Sequence, residues 1–149
     1  MLGRVMTDPD TLADKVARAM LAAEGTGPAW GIEIEEAREG YARVRMRLTA
    51  AMLNGHGIAH GGIVFSLADT AFAYACNSRN LTTVAAQASI VFLAPAREGE
   101  VLIAECREQA LVGRSGVYNA SVRTEDGRAI AEFQGLSRSL GGPIIGDEQ

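Results

Sequence analysis

Three kinds of residue that can do chemistry lie in one stretch, MLNGHGIAHGG running into IVFSLADTAFAYAC. The first is a carboxylate. Asp69 sits in an apolar run of Ile63, Val64, Phe65, Leu67, Ala68, Ala71, Phe72, Ala73 and Ala75, and the nearest basic residue is Arg79, past the end of the run. An ionised acid is costly in apolar surroundings unless it is paired. If it faces a cleft, it acts with a shifted pKa as a general base or nucleophile. The second is the pair Gly61 and Gly62. At a helix start they expose backbone N–H groups with no side chain in the way, and the helix dipole adds positive potential. Such a site polarises a carbonyl and stabilises an oxyanion. The third is the loop before them, where the Asn54 amide can orient a carbonyl or a water and His60 precedes the glycines.

Each residue also has a structural reading. Asp69 can be a buried acid hydrogen-bonded to Ser66 or Thr70, the glycines a tight turn between loop and helix, and Asn54 a turn residue. His56 and His60, four apart, are metal-like in spacing, but they sit in a glycine loop without a suitably spaced third ligand, so no metal is expected. Ser66, His60 and Asp69 lack the G-x-S-x-G elbow of a nucleophilic serine.

Spacing constrains how the groups can cooperate. Gly61 and Asp69 are eight residues apart. That is ~12 Å along a helix, whereas groups acting on one carbon converge to within ~3 Å of it. One chain's pair cannot serve one carbonyl. If both act, the site joins Gly61 of one subunit to Asp69 of another, as two antiparallel copies of this helix across a twofold axis would do.

The elements that must position these groups follow from periodicity. Asp8–Pro9 reads as a helix cap, and Leu12, Val16 and Met20 recur every four residues until Gly25, so residues 1–25 form an N-terminal helical segment. Ile32 and Ile34 alternate with Glu33 and Glu35; after a Glu39–Gly40 turn, Val44, Met46 and Leu48 alternate with arginines, as in a hairpin. The glycine-rich loop then leads into the apolar helix, which runs to about Asn77. Strands are expected over Thr82–Leu93 and Glu100–Ala110. Val117–Glu125 and Arg128–Leu140 flank an Asp126–Gly127 hairpin turn. Residues 141–149 are expected to be a flexible tail. The order is α+β, in a single domain over 1–149. A helix apolar all round needs cover on more than one side, which a curved antiparallel sheet and a partner chain would supply.

Composition sets the limits. Of 149 residues 48% are hydrophobic and 21% charged, enough for one domain with a substantial core. A net charge of −4 argues against a nucleic-acid footprint. Lys15 is the only lysine among 14 basic residues and lies in the N-terminal amphipathic pattern, which disfavours Schiff-base chemistry. Cys76 and Cys106 have no zinc-like or CxxC spacing and read as buried thiols in a reducing compartment. No signal-peptide h-region or membrane-length apolar run appears, so a cytoplasmic location without membrane association is expected.

LNGHGIAHGG followed by FSLADTAFAYACNS resembles the hotdog-fold thioesterases, and within them the phenylacetate-degradation thioesterases of the PaaI type. The FLAP element at Phe92–Pro95 and GVY at Gly116–Tyr118 are similar to that subgroup, and the resemblance runs from about Gly31 to Gly142. It implies a long central helix wrapped by an antiparallel sheet, homodimers that usually pair into tetramers, and hydrolysis of an acyl-CoA thioester to a free acid and coenzyme A. It assigns Asp69 as the catalytic carboxylate, Gly61 as the oxyanion donor, Asn54 as the amide that helps place thioester or water, and His60 as the residue fixing the loop. Some relatives hold the water with a serine or threonine on the following strand. Here Ala85 stands at that position, Ser89 is out of register, and Thr70 is the candidate substitute.

The resulting expectation is an acyl-CoA thioesterase acting on phenylacetyl-CoA or its ring-hydroxylated derivatives, with no metal or redox cofactor. Leu53, Phe65 and Phe72 are candidates to line the acyl pocket. Arg97, Arg114 and Arg138 are candidates to meet the coenzyme A phosphates. Two alternatives are a hotdog dehydratase acting on carrier-linked acyl chains, with His60 and Asp69 as acid-base partners, and a non-catalytic acyl-CoA sensor. Retention of Asp69 and the lack of an attached DNA-binding module count against the sensor.

Overall fold

A computed structural model describes residues 8–146. The chain runs α1 (Pro9–Ala23), α2 (Thr26–Trp30), β1 (Glu33–Arg38), β2 (Tyr41–Arg47), α3 (Gly61–Cys76), β3 (Thr83–Phe92), β4 (Val101–Val112), β5 (Ser115–Thr124) and β6 (Ala129–Ser139). A single 3-10 turn, Ala50–Met52, opens the loop before α3.

Local chemistry explains the boundaries. The Asp8 carboxylate accepts the Thr11 N–H at 3.0 Å and Pro9 occupies the first helical turn, a strong start for α1. Its fully buried face is Ala13, Val16 and Ala17. Leu12 and Met20, expected to share that face, are only half-buried. α2 is a one-turn helix absent from the pattern-based expectation. The 1–25 segment is helical over Pro9–Ala23, and its first seven residues lie outside the described range.

The six strands form one antiparallel sheet in the order β1-β2-β4-β5-β6-β3. Strand alternation sends Ala42, Val44 and Met46 of β2, Leu102, Ala104 and Cys106 of β4, and Tyr118, Ala120 and Val122 of β5 into the core. There they meet Val64, Leu67, Ala68, Ala71, Phe72 and Ala75 of α3. The Phe72 ring is central, edge-on to Tyr118 at 5.4 Å between centroids and tilted against Phe133 at 5.7 Å. The alternating arginines of β2 face outward and are paired: Arg43 with Glu35 at 2.9 Å, Arg45 with Glu125 at 2.8 Å.

The two sheet edges differ. β1 carries Glu33, Glu35 and Glu36, the charges that discourage further pairing. β3, TVAAQASIVF, carries no charge, and Val84, Val91, Phe92 and the adjoining Leu93 are exposed.

Three residues of the 141–149 segment make hydrogen bonds to the stretch after α3. The Thr82 N–H donates to the Gly142 carbonyl at 2.8 Å. The Asn80 side chain accepts the N–H groups of Ile144 and Ile145, each at 2.9 Å, and donates to the Ile145 carbonyl at 3.0 Å. Residues 142–145 are therefore tied to the segment after α3. The last three residues lie outside the described range.

Candidate active site

α3 is covered by the sheet on one side and touched by α1 on another, which leaves one stripe open. Ser66, Asp69 and Ala73 are its half-buried positions, spaced three and four residues apart on one helical face. Asp69 thus points out of the core through the uncovered face. Its carboxylate has no hydrogen bond or ion pair among the described residues. The hydroxyls that a purely structural role would need are engaged elsewhere: Ser66 donates to the Gly62 carbonyl and Thr70 to the Ser66 carbonyl, both at 2.7 Å. Burial without a partner raises the Asp69 pKa above the ordinary carboxylate range, and the nearby charge of Glu24 raises it further.

Pattern reading missed Glu24. It follows the last residue of α1, accepts the Tyr74 hydroxyl at 2.9 Å and the Thr26 hydroxyl at 2.6 Å, and so is held beside the apolar helix. Only its position at the end of an amphipathic helix hinted at this.

At the start of α3, His60 is the cap. Its Nδ1 accepts the Gly62 N–H at 3.1 Å, and its carbonyl accepts the N–H groups of Ile63 and Val64. The Gly61 N–H has no partner among the described residues. It opens beside a cavity of about 460 Å³ bounded by Asn54, Ile58, Gly61, Phe92 and Pro95. A Cβ on Gly61 would stand 3.1 Å from the Phe92 ring, so glycine allows that close approach. The Asn54 side-chain oxygen accepts the His56 N–H at 2.9 Å and the Ile58 N–H at 3.4 Å, folding the loop, and its NH₂ has no partner among the described residues. Asn54 is therefore both a turn residue and a wall of this cavity.

The remaining candidates separate. Phe72 is buried in the aromatic core, and Phe65 packs edge-on against Phe133 at 5.5 Å. Leu53 forms a bridge to Ala59. None of the three bounds either cavity at the ends of α3. Arg97 follows Ala96 at the cavity holding Gly61. Arg114 edges a second cavity at the other end of α3. Arg138 alternates with the inward-facing Ser137, which puts it on the outer side of the sheet. Ala85 pairs in register with Ser137, and the exposed Ser89 pairs with the exposed Gln134.

Among the described residues no three His, Cys, Asp or Glu side chains gather as a metal site. Both cysteines are free and buried, and burial pushes the Cys76 thiol up to about 12, far from a reactive thiolate. No helix among the described residues is long and apolar enough to cross a membrane.

The sheet wrapped on one helix, with an unpaired carboxylate at mid-helix and an open N–H at its start, can be set against known proteins. Residues 56–131 match the thioesterase superfamily. The acyl-coenzyme A thioesterase PaaI of Escherichia coli is 44% identical over 131 residues, 88% of this chain and 94% of that one. The structure of the E. coli PaaI protein from the phenylacetic acid degradation operon superposes with a TM-score of 0.89 at 41% identity, covering 91% of this chain and 99% of that one. A hypothetical thioesterase protein from Streptococcus pneumoniae, solved with coenzyme A, gives a TM-score of 0.73 at 26% identity over 75% of this chain and 90% of that one. The chain therefore belongs to the thioesterase superfamily and is a thioester hydrolase of the PaaI type with the hotdog fold.

Proposed function

We propose that this protein hydrolyses acyl-CoA thioesters, with arylacetyl groups such as phenylacetyl and hydroxyphenylacetyl as the acyl part, at a site shared between two copies of the chain. The observation that carries the reading is the unpaired Asp69 carboxylate on the uncovered face of α3. The similarity to the E. coli acyl-coenzyme A thioesterase supports the substrate class.

The Gly61 N–H of one subunit receives the thioester carbonyl oxygen and holds the negative charge that develops there. Asp69 of the facing subunit takes a proton from water as the water oxygen attacks the carbonyl carbon, or attacks that carbon itself and is freed by water afterwards. In either case the C–S bond breaks and the thiolate of coenzyme A leaves, taking up a proton. Both routes need the ionised carboxylate. The Asn54 NH₂ orients the thioester or the water. No metal or redox group has a part in this chemistry. Arg97 and Arg114 stand at the two ends of α3 and are suited to meet phosphates of the nucleotide.

The shared site is supported by the distance along α3 and by the unprotected, apolar edge of β3, on which a second copy can add its own β3. Such dimers would pair further into tetramers. Two buried free thiols are consistent with work in the cytoplasm.

The test is free-thiol release from phenylacetyl-CoA, hydroxyphenylacetyl-CoA and straight-chain acyl-CoAs by the wild type and Asp69→Asn. Turnover of the arylacetyl esters, lost in a variant that stays folded and keeps its oligomeric state, is the expected result. Binding of acyl-CoA without turnover of any ester would instead make the protein a sensor.

A further inference from the structure

Phe92 ends β3, and the tip of its ring points at the start of α3. The three atoms nearest to the place of a Gly61 Cβ are all carbons of this ring, Cζ at 3.1 Å and Cε1 and Cε2 at 3.5 Å. The ring tip fills the space that a side chain on Gly61 would take. Phe92 and Gly61 also bound the same cavity, the one beside which the Gly61 N–H opens. Phe92 is 54% exposed and takes no part in the buried core, so core packing does not account for where its ring lies.

The backbone holds the two residues face to face. Phe92 pairs with Ala131 of β6, and the N–H groups of Leu93 and Ala94 both donate to the Ile130 carbonyl, at 2.8 and 3.3 Å. The loop before α3 is tied to the same segment, because the Ala59 N–H donates to the Ala96 carbonyl at 2.8 Å. The joint between ring and glycine is thus hydrogen-bonded on both sides.

A ring placed there has two effects on the Gly61 N–H. Glycine has wide backbone freedom, and no intrahelical bond holds the N–H of a first helical residue, so contact with the ring limits how this peptide can turn. The donor stays aimed before charge develops on a substrate oxygen, and a misplacement of about 1 Å can cost about 100-fold in rate. The apolar ring also takes the place of water on that side of the peptide, which strengthens a bond to a charged oxygen.

We infer that Phe92 is a positioning residue for thioester hydrolysis: its ring tip, seated in the place of the absent Gly61 side chain, holds the Gly61 N–H in line for the thioester carbonyl oxygen. The inference rests on Gly61 as the oxyanion donor, as proposed above. Phe92 acts through Gly61 and has no polar group to offer the reacting atoms.

The experiment is a double-mutant cycle of Gly61→Ala, Phe92→Leu and the two together, with kcat and KM measured separately on the acyl-CoA that the wild type turns over fastest. Gly61→Ala keeps the N–H but sets a Cβ against the ring, and Phe92→Leu withdraws the ring tip. Each single variant should lower kcat by about tenfold, part of the 10²–10³ that a whole oxyanion donor is worth, with KM within about twofold and the unfolding midpoint close to that of the wild type. In the double variant the new methyl group fills the space that the ring leaves. Its kcat should therefore fall by about tenfold and not by the roughly hundredfold product of the single effects. Additive losses overturn the inference, as does an unaltered kcat in Phe92→Leu. A Phe92→Leu variant that raises KM and spares kcat overturns it too, because the ring would then be a substrate contact. In all three cases hydrolysis itself stands. A wild type that hydrolyses no acyl-CoA defeats the proposed function, and this inference with it.

Discussion

The imidazole Nδ1 of His60 accepts the backbone N–H of Gly62 at 3.1 Å, and the N–H of Gly61, one residue earlier, has no partner among the described residues. The cap satisfies one of the orphan donors at the helix start and leaves the neighbouring donor open to a ligand.

His60→Ala should therefore destabilise the protein by about 1 kcal/mol, the usual cost of a lost cap, and slow turnover through a looser Gly61 without abolishing it. Thermal unfolding and kcat on one acyl-CoA measure both effects. Complete loss of activity at normal stability would give His60 a proton-transfer role, as in a dehydratase.

Asp69 governs the pH dependence. Burial raises its pKa in the folded protein, so the acid limb of the rate profile should lie above the ordinary carboxylate range, with activity appearing as the group ionises. The same shift has a stability consequence. The folded state binds the Asp69 proton more tightly than the unfolded state does, so its contribution is fully present below the unfolded pKa and is lost as pH rises through the folded one. Asp69→Asn should remove this dependence and melt at or above the wild-type temperature at neutral pH, while kcat falls by about 10²–10⁴. A variant that melts lower at neutral pH would mean that the carboxylate has a stabilising partner.

Gly135 reports on the core beneath the site. A Cβ there would stand 2.8–2.9 Å from three Phe72 ring carbons, and Phe72 is held by Tyr118 and Phe133. Gly135→Ala should cost about 1–3 kcal/mol through overpacking, seen as a lower unfolding midpoint. An unchanged midpoint would show that the ring has room to move.

The parts legible in the sequence are those with strong local signals. The apolar run and its two glycines located α3 to within a residue or two, and Asp126–Gly127 located the β5–β6 hairpin. Asp69 stood out because no cation lies near it in the chain, and among the described residues it has no hydrogen-bonding or ion-pairing partner. Other features have no local signature. α2 is a single turn containing Gly27 and Pro28, residues that punctuate helices elsewhere. The buried face of α1 is set by Ala13 and Ala17, whose small side chains suit close packing but carry a weak hydrophobic signal. The bonds that hold Ile144 and Ile145 come from the Asn80 side chain, more than sixty residues away in the chain.

If Gly61 and Asp69 act from different subunits, a variant that lacks one group can complement a variant that lacks the other. Gly61→Pro removes the N–H at a first helical position that accepts proline, with the exposed Phe92 ring turning aside from the added carbons, and Asp69→Asn removes the base. Each should be inactive alone. The decisive measurement is thiol release after the two variants are mixed one to one, unfolded and refolded together. Half of the resulting dimers are mixed, and one of their two sites holds an intact Gly61 and an intact Asp69, so activity should return to about a quarter of the wild-type value. No recovery, with mixed dimers demonstrated, would put both groups of a working site in one chain and rule out a site shared between subunits.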